Sequence, residues 1–341
     1  MARHRVALVG LGMAVTPHAK SLLDLGDRVE VVHAMSPSAA RREAFAARFR
    51  FSTTGDLAAI LEDRGIDAVA VLTPPNTHLE IARELAKAGK HILLEKPLDV
   101  STARAEQLVA ACADARVTLG VVLQHRFKPA AERLAAIVKA GALGEIVNCS
   151  TSMRLWRPQS YYDEPGRGTR ARDGGGVLMT QGIHTLDLML SLAGPIVEAG
   201  GYVRTTSVHR METEDLVCAA VRFASGAVGV IDATTAAYPG GPERIELIGT
   251  RGAASLVGTA LSVRFHDGGS EDIAADASPG GTGADPMAFP HDYHLGVWRD
   301  FLDAVDAKRP PRVSGAEALE VHRLIDALLA AGTTGRTVAV R

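Results

Sequence analysis

A short apolar run, Arg5 to Val9, breaks at Gly10-Leu11-Gly12 and resumes as a helical pattern from about Pro17 to Leu25. Two glycines after a strand allow a tight turn into a helix. They also let a pyrophosphate approach the backbone N–H groups of the turn. Val15 stands where the usual motif has its third glycine, so the turn alone also fits a plain strand-to-helix corner. The following residues narrow the choice. Almost wholly apolar runs recur at Val29–Ala34, Ala68–Leu72, His91–Leu94 and Thr118–Leu123. Helical stretches separate them: one opening at Ser36-Pro37, then Asp56–Glu62, Thr77–Ala88 closed by Gly89, and Ser101–Ala115. Ser36 is expected as N-cap with Pro37 at the first helical position. Strands without a polar face, alternating with helices, predict a parallel sheet covered on both sides. Residues 1–123 therefore read as a doubly wound Rossmann domain that binds a dinucleotide.

The pattern changes after Gln124. Gly144–Leu155 alternates, and a helix over Val177–Leu192 follows Gly174-Gly175-Gly176. Strand-like runs then follow at Val197–Val203, Leu216–Phe223, Ala227–Ala233, Arg244–Ile248 and Ala254–Val257, joined by short turns. Consecutive strands with short turns make a mostly antiparallel sheet. Ala274–Pro290 reads as a surface loop, and a last helix spans about Gly315–Ala331. Residues 124–341 are expected to form an α/β domain built on a large open sheet. Such a sheet face is usually covered by another subunit, which predicts a homodimer or homotetramer.

A net charge of −2 supplies no broad basic field for nucleic acid or an anionic membrane. No apolar run is long enough to span a bilayer, and no leader-like segment opens the chain. Cys112, Cys149 and Cys218 are far apart and odd in number, which suits a reducing compartment. These features together predict a cytoplasmic protein.

Glu95-Lys96-Pro97 ends the run His91–Leu94. A lysine at the edge of a nucleotide-binding sheet is placed to move a proton while a hydride moves to or from nicotinamide. Positive charge on the cofactor and partial burial would both lower its pKa, suiting it to general acid–base work. A proline after it biases Lys96 to an extended conformation and raises the chance of a cis bond. The plainer reading of such a lysine is a surface cap on a strand end. The second strand ends His33-Ala34-Met35-Ser36, without the acid that binds the adenosine ribose of NAD. Ser36, Arg41 and Arg42 are close enough to receive a 2′-phosphate, so the cofactor is NAD(P) with NADP slightly favoured. Thr180, His184 and Asp187 follow i, i+4, i+7 and share one helix face. A polar stripe on a buried helix needs partners or a ligand. His291 and His294 are spaced i, i+3, but nothing else supplies ligands, so no metal is expected.

These pieces have a collective resemblance. The order and spacing of Gly10-Leu11-Gly12 with His18-Ala19, Thr73-Pro74-Pro75-Asn76-Thr77-His78, Glu95-Lys96-Pro97, Gly174-Gly175-Gly176, Gly182-Ile183-His184 with Asp187, Asp300-Phe301 and Arg309-Pro310-Pro311 resemble the glucose–fructose oxidoreductase, inositol dehydrogenase and MocA (Gfo/Idh/MocA) family. The resemblance implies cofactor contacts at Gly10, Gly12, Met13, Ala14, Ser36, Arg41, Thr73, Pro74, Asn76, His78, Glu95 and Lys96. It implies Lys96 and His184 as catalytic residues. It implies a substrate site including Lys96, Thr180, His184 and His294. Trp156-Arg157 through Tyr161-Tyr162, with Arg167, resembles a sugar-handling subgroup and adds Arg157, Tyr161 and Arg167. Aromatic faces beside polar groups suit a pyranose, although the same aromatics would equally fill a domain interface.

Two positions depart from the family. Thr180 stands where many members have an aspartate, which breaks any Lys–Asp–His relay. Gly166 stands where the subgroup often has tryptophan. The expected activity is interconversion of a secondary alcohol and a ketone on a sugar, sugar derivative or cyclic polyol. The alternatives are a non-catalytic cofactor-sensing regulator of the same fold, and a reductase of imines or unsaturated rings.

Overall fold

A computed structural model describes residues 3–275 and 290–341. Most of the loop expected over Ala274–Pro290 lies outside the described residues. The chain forms two compact units, Met1–Leu123 with Pro290–Leu319, and Gln124–Phe289 with Glu320–Arg341.

The first unit holds β1 (His4–Val9), α1 (Val15–Asp24), β2 (Val29–Met35), α2 (Ala39–Phe49), β3 (Thr53–Thr54), α3 (Ala58–Glu62), β4 (Ala68–Val71), α4 (His78–Lys87), β5 (His91–Leu94), α5 (Thr102–Asp114) and β6 (Leu119–Val121). Its strands pair in parallel in the order β3-β2-β1-β4-β5-β6. The order reverses between β1 and β4, and ligands bind such sheets at the carboxyl ends beside the reversal. Every residue of β4 is fully buried, as are Ile92, Leu93 and Leu94 of β5. Burying a Val, Ile or Leu side chain contributes about 1.5–3 kcal/mol each, and this explains the unbroken apolar runs in the sequence. One detail differs from the sequence expectation. Ser38, not Ser36, caps α2 by accepting from the Arg41 N–H, and Ser36 Oγ accepts from the Ser38 N–H instead. Pro37 therefore lies outside the helix.

The second unit holds α6 (Pro129–Lys139), β7 (Ile146–Arg154), α7 (Gln159–Tyr162), α8 (Arg170–Asp173), α9 (Ile183–Ala193), β8 (Ile196–Arg204), β9 (Leu216–Phe223), β10 (Val228–Thr234), β11 (Arg244–Gly249), β12 (Gly252–Val257), β13 (Ala260–Phe265), β14 (Ser270–Ile273) and β15 (Val338–Ala339). The strands run β14-β13-β12-β11-β7-β10-β9-β8-β15. Among the described residues β7 and β10 are parallel and the other pairs antiparallel. Burial alternates along β9 and β11. One face meets α9 and α6. The other exposes Tyr202, Val228, Val230 and Ile248. Six elements go beyond the sequence expectation: α6, α7, α8, β13, β14 and β15. Ser270-Glu271-Asp272-Ile273 has a polar composition, and β15 is two residues long, so neither carries a strand signal of its own.

The chain then returns to the first unit, so the division at residue 124 does not hold for all of 124–341. There α10 (Asp292–Ala307) packs on α1. Nε2 of His291 meets Asp24 at 2.7 Å and Arg28 meets Asp303 at 2.8 Å. The Val121 N–H donates to the Val313 carbonyl, extending the sheet edge. Helix α11 (Gly315–Thr334) begins in this unit. The apolar spacing of Leu295, Trp298, Phe301 and Leu302 signals a helix, but it carries no information on which core that helix joins.

Candidate active site

Three loops meet at the carboxyl edge of neighbouring strands in the first unit: Gly10–Gly12 after β1, Thr73–Thr77 after β4, and Glu95–Pro97 after β5. Gly10 has φ +105°, and a Cβ there would stand 2.8 Å from the Leu72 carbonyl. Only glycine lets the first loop lie on the second. At Gly12 the Cβ direction opens onto free space, with no described atom within 4 Å. The first turn of α1 has no acid, and Ala14 supplies no side-chain cap. The Val15 N–H already donates to the Gly12 carbonyl at 3.3 Å and Pro17 has none, so the positive end of the helix dipole is what the turn offers an anion. This cradle fits the pyrophosphate of a dinucleotide. Met13 is half exposed beside it.

In the second loop Pro74 and Asn76 are exposed, and the Thr77 hydroxyl donates to the Pro74 carbonyl at 2.8 Å and lies 2.7 Å from Thr73 Oγ1. His78 sits below them, fully buried. Its ring lies between the Thr73 carbonyl (2.9 Å) and the Pro97 carbonyl (3.0 Å), so it braces the second loop against the third. Burial pushes its pKa down. At the end of β2 there is no carboxylate. Arg42 donates to the Ser36 and Pro37 carbonyls, and Ser36 is buried. The Arg41 guanidinium is exposed and has no partner among the described residues.

Lys96 is half-buried just beyond β5, and the Lys96–Pro97 bond is cis. Glu95 beside it is 9% exposed; it accepts from His18 Nε2 at 3.0 Å and from the Lys96 N–H at 3.1 Å. Burial raises the pKa of Glu95, but the His18 hydrogen bond and nearby positive charge outweigh it, and the net shift is downward. His294 lies inside this unit, 3% exposed, with its ring edge-on to His18 at 5.1 Å. Burial, with His18 next, lowers its pKa to about 3, so it is neutral at physiological pH.

In the second unit a π-helical turn, Leu178–Gly182, precedes α9. It takes more residues per turn than an α-helix, as π segments at functional sites commonly do. The even i, i+4, i+7 stripe of an ideal helix is therefore not what forms. Gly176 lies against Glu214, where a Cβ would overlap the Glu214 carbonyl oxygen. The Glu214 carboxylate accepts from the Gly176 and Leu178 N–H groups and caps the turn. Burial raises its pKa.

The Thr180 hydroxyl donates to the Gly176 carbonyl at 2.7 Å and also touches the Gln181 side chain. A hydroxyl has one proton, so the Gln181 amide faces Thr180 with its NH2 group and Tyr161 with its oxygen. Tyr161 lies under two guanidinium groups, Arg167 at 4.9 Å and Arg157 at 5.9 Å from its ring centre. Arg157 is buried, and Arg167 also meets Glu164 at 3.3 Å. His184 is 8% exposed and lies 5.0 Å, centre to centre, from the His125 ring. Asp187 leaves the expected stripe: Arg126 holds both its oxygens, at 2.7 and 2.6 Å.

The structure thus groups Gly10, Gly12, Thr73, His78, Glu95, Lys96 and His294 in one unit. It groups Arg157, Tyr161, Arg167, Thr180 and His184 in the other. Sequence reasoning did not single out His125, Gln181, Glu214 or Trp298. Gln181, adjacent to Thr180, was the one with a visible signal.

A glycine cradle and a lysine on the carboxyl edge of a reversed parallel sheet define a dinucleotide-dependent oxidoreductase. Residues 4–123 match the model of the GFO/IDH/MocA oxidoreductase family with its NAD-binding Rossmann fold, and residues 131–255 match the family's C-terminal domain. The chain belongs to this family and is an NAD(P)-dependent dehydrogenase. It is 27% identical to the myo-inositol 2-dehydrogenase of Thermotoga maritima over 327 residues, covering 92% of this chain and 91% of that one. It is 29% identical to the scyllo-inositol 2-dehydrogenase (NAD+) of Bacillus subtilis, covering 80% of each. The WlbA dehydrogenase of Bordetella pertussis, solved in complex with NADH and UDP-GlcNAcA, superposes with a TM-score of 0.86 at 27% identity. That match covers 100% of this chain and 99% of the other.

Proposed function

We propose that the protein interconverts a secondary alcohol and a ketone on a sugar, sugar derivative or cyclic polyol, with Lys96 as the general acid–base and His184 gripping the reacting hydroxyl. The observation that carries this reading is Lys96 on the β5 edge, its backbone held by Glu95 beside the glycine cradle. Similarity to inositol dehydrogenases and to a dehydrogenase solved with NADH and UDP-GlcNAcA supports the substrate class. Bound NAD(P) would supply the hydride acceptor or donor. Lys96 takes the hydroxyl proton in the oxidative direction and returns it in reduction. Thr180 donates to the Gly176 carbonyl and, having no carboxylate, cannot serve as a base. His125 beside His184 limits the orientations of its ring. Tyr161, with Arg157 and Arg167, offers an aromatic face and polar edges to a sugar ring. The test is an NAD(P)-linked turnover screen across inositols, aldoses and nucleotide sugars. Dinucleotide binding with no turnover on any of them would overturn it.

The cofactor preference extends this proposal. An exposed Arg41 and a strand end without an acid leave a 2′-phosphate unopposed, so NADP is expected to bind at least as tightly as NAD. Arg41→Ala is expected to weaken NADP and leave NAD unchanged. Titration showing the wild type binding NAD about a hundredfold more tightly, near 2.8 kcal/mol, would refute it.

The open sheet face supports a homodimer or homotetramer. Tyr202 is 78% and Val228 53% exposed on it, and side chains of this kind gather at subunit contacts. Sedimentation at micromolar concentration is expected to give a dimer or tetramer. A Tyr202→Glu/Val228→Glu variant should shift toward monomer, and a monomeric wild type would refute the proposal.

A further inference from the structure

We infer that Trp298, His18 and Glu95 form a positioning relay that fixes the backbone of Lys96. The inference rests on Lys96 being the proton-transfer group. Indole N–H can only donate, and in Trp298 it meets His18 Nδ1 at 3.1 Å. That nitrogen is therefore the acceptor, and the ring proton sits on Nε2. Nε2–H then donates to Glu95 Oε1 at 3.0 Å. The other carboxylate oxygen accepts from the Lys96 N–H at 3.1 Å. Each group has one role, and the tautomer of His18 follows from the donor-only indole. Trp298 and His18 are fully buried. Burying such polar atoms is costly unless each is bonded, and an apolar packing of α10 on α1 would avoid that cost. Three separate segments, α10, α1 and the end of β5, instead converge on one backbone amide beside the lysine.

His18, Glu95 and His294 also present ligand atoms within 4.8 Å of one another. Hydrogen-bond arithmetic argues against a metal there. Both His18 nitrogens are engaged, one carrying its proton toward Glu95 and the other accepting from Trp298. Binding an ion would break a buried contact. The groups facing Glu95 within this unit are His18, His294 and Lys96. Against burial, the His18 hydrogen bond holds the Glu95 pKa down, so the carboxylate keeps its charge and its two acceptor roles. A misplacement of about 1 Å at a reacting group can cost ~10²-fold in rate, and that sensitivity gives the relay its consequence.

The test uses the cofactor-free full chain first. Trp298→Phe keeps the ring and removes the donor. Glu95→Gln keeps the shape but leaves one of the two donors facing an amide NH2. Hydrogen–deuterium exchange resolved at the Lys96 amide should accelerate about tenfold or more in both, the equivalent of one lost hydrogen bond. Amides within α1 and α10 should stay protected. Should Glu95→Gln fail to fold, Trp298→Phe carries the test. Turnover, probed with myo-inositol and NAD(P)+, should fall about tenfold in Trp298→Phe with the KM for dinucleotide unchanged. It should fall no further when Trp298→Phe is added to Lys96→Met. An unchanged Lys96 amide, or equal losses in both backgrounds, would overturn the relay and leave the role of Lys96 standing. Full activity in Lys96→Met alone would remove the catalytic reading, and the exchange result would still decide the backbone contact.

Discussion

Replacing Lys96 by Met should lower turnover by about 10²- to 10⁴-fold, the range of general acid–base catalysis, while dinucleotide affinity changes little. Met keeps the length and apolar stem of lysine and removes the proton carrier. Among the described residues, Thr180, Glu95 and His294 cannot take over its role. Thr180 lacks a carboxylate and is bonded to Gly176. Glu95 is occupied by His18 and by the Lys96 amide. His294 is buried and neutral. His184→Ala should cost less in rate and more in substrate affinity, since its expected task is to grip the hydroxyl. Single-turnover hydride transfer at saturating substrate separates the two effects. A Lys96→Met variant running within about threefold of wild type, far below the acid–base range, would exclude Lys96 as the proton-transfer group.

Much of this architecture is written in local patterns. The first sheet was legible because parallel strands buried on both faces appear as unbroken apolar runs, such as Ala68–Val71 and His91–Leu94. Gly10 was legible because a turn pressed against Leu72 tolerates nothing larger, whereas Gly12 leaves open space beside the turn. The polar partners were harder to see. His18 and Trp298 are 280 positions apart in sequence and meet through one hydrogen bond. No periodicity carries such a pairing. Glu214 caps the turn before α9 from a distant loop, again without a local signal. The helix N-cap went one way and not the other because Ser36 and Ser38 are both good caps. The strand continues to Met35, and this leaves the later serine to start the helix.

Asp187→Ala should destabilise the second unit by about 3–5 kcal/mol, because it leaves the Arg126 charge in the interior without its carboxylate. Sequence spacing places Asp187 with Thr180 and His184 in a stripe that needs partners or a ligand. For Asp187 the partner is Arg126, with a bidentate contact and no exposure of Asp187. Such a planar, two-point pair fixes both side chains more closely than a single bond would. The helix-turn residues Gln124–Phe127 are thereby tied to α9, one turn beyond His184. The loss should therefore reach turnover as well, by letting His125 and His184 move relative to each other. A double variant, Arg126→Met with Asp187→Leu, replaces the ion pair by apolar packing and should recover most of the stability, since buried pairs often bring little net gain over hydrophobic neighbours. Turnover should recover less than stability, because the apolar pair cannot restore the fixed angle that two parallel hydrogen bonds impose. Denaturant unfolding followed beside steady-state turnover measures both quantities. A loss below about 1 kcal/mol in Asp187→Ala, the level of an exposed pair, would show that Arg126 reaches water when its partner is removed.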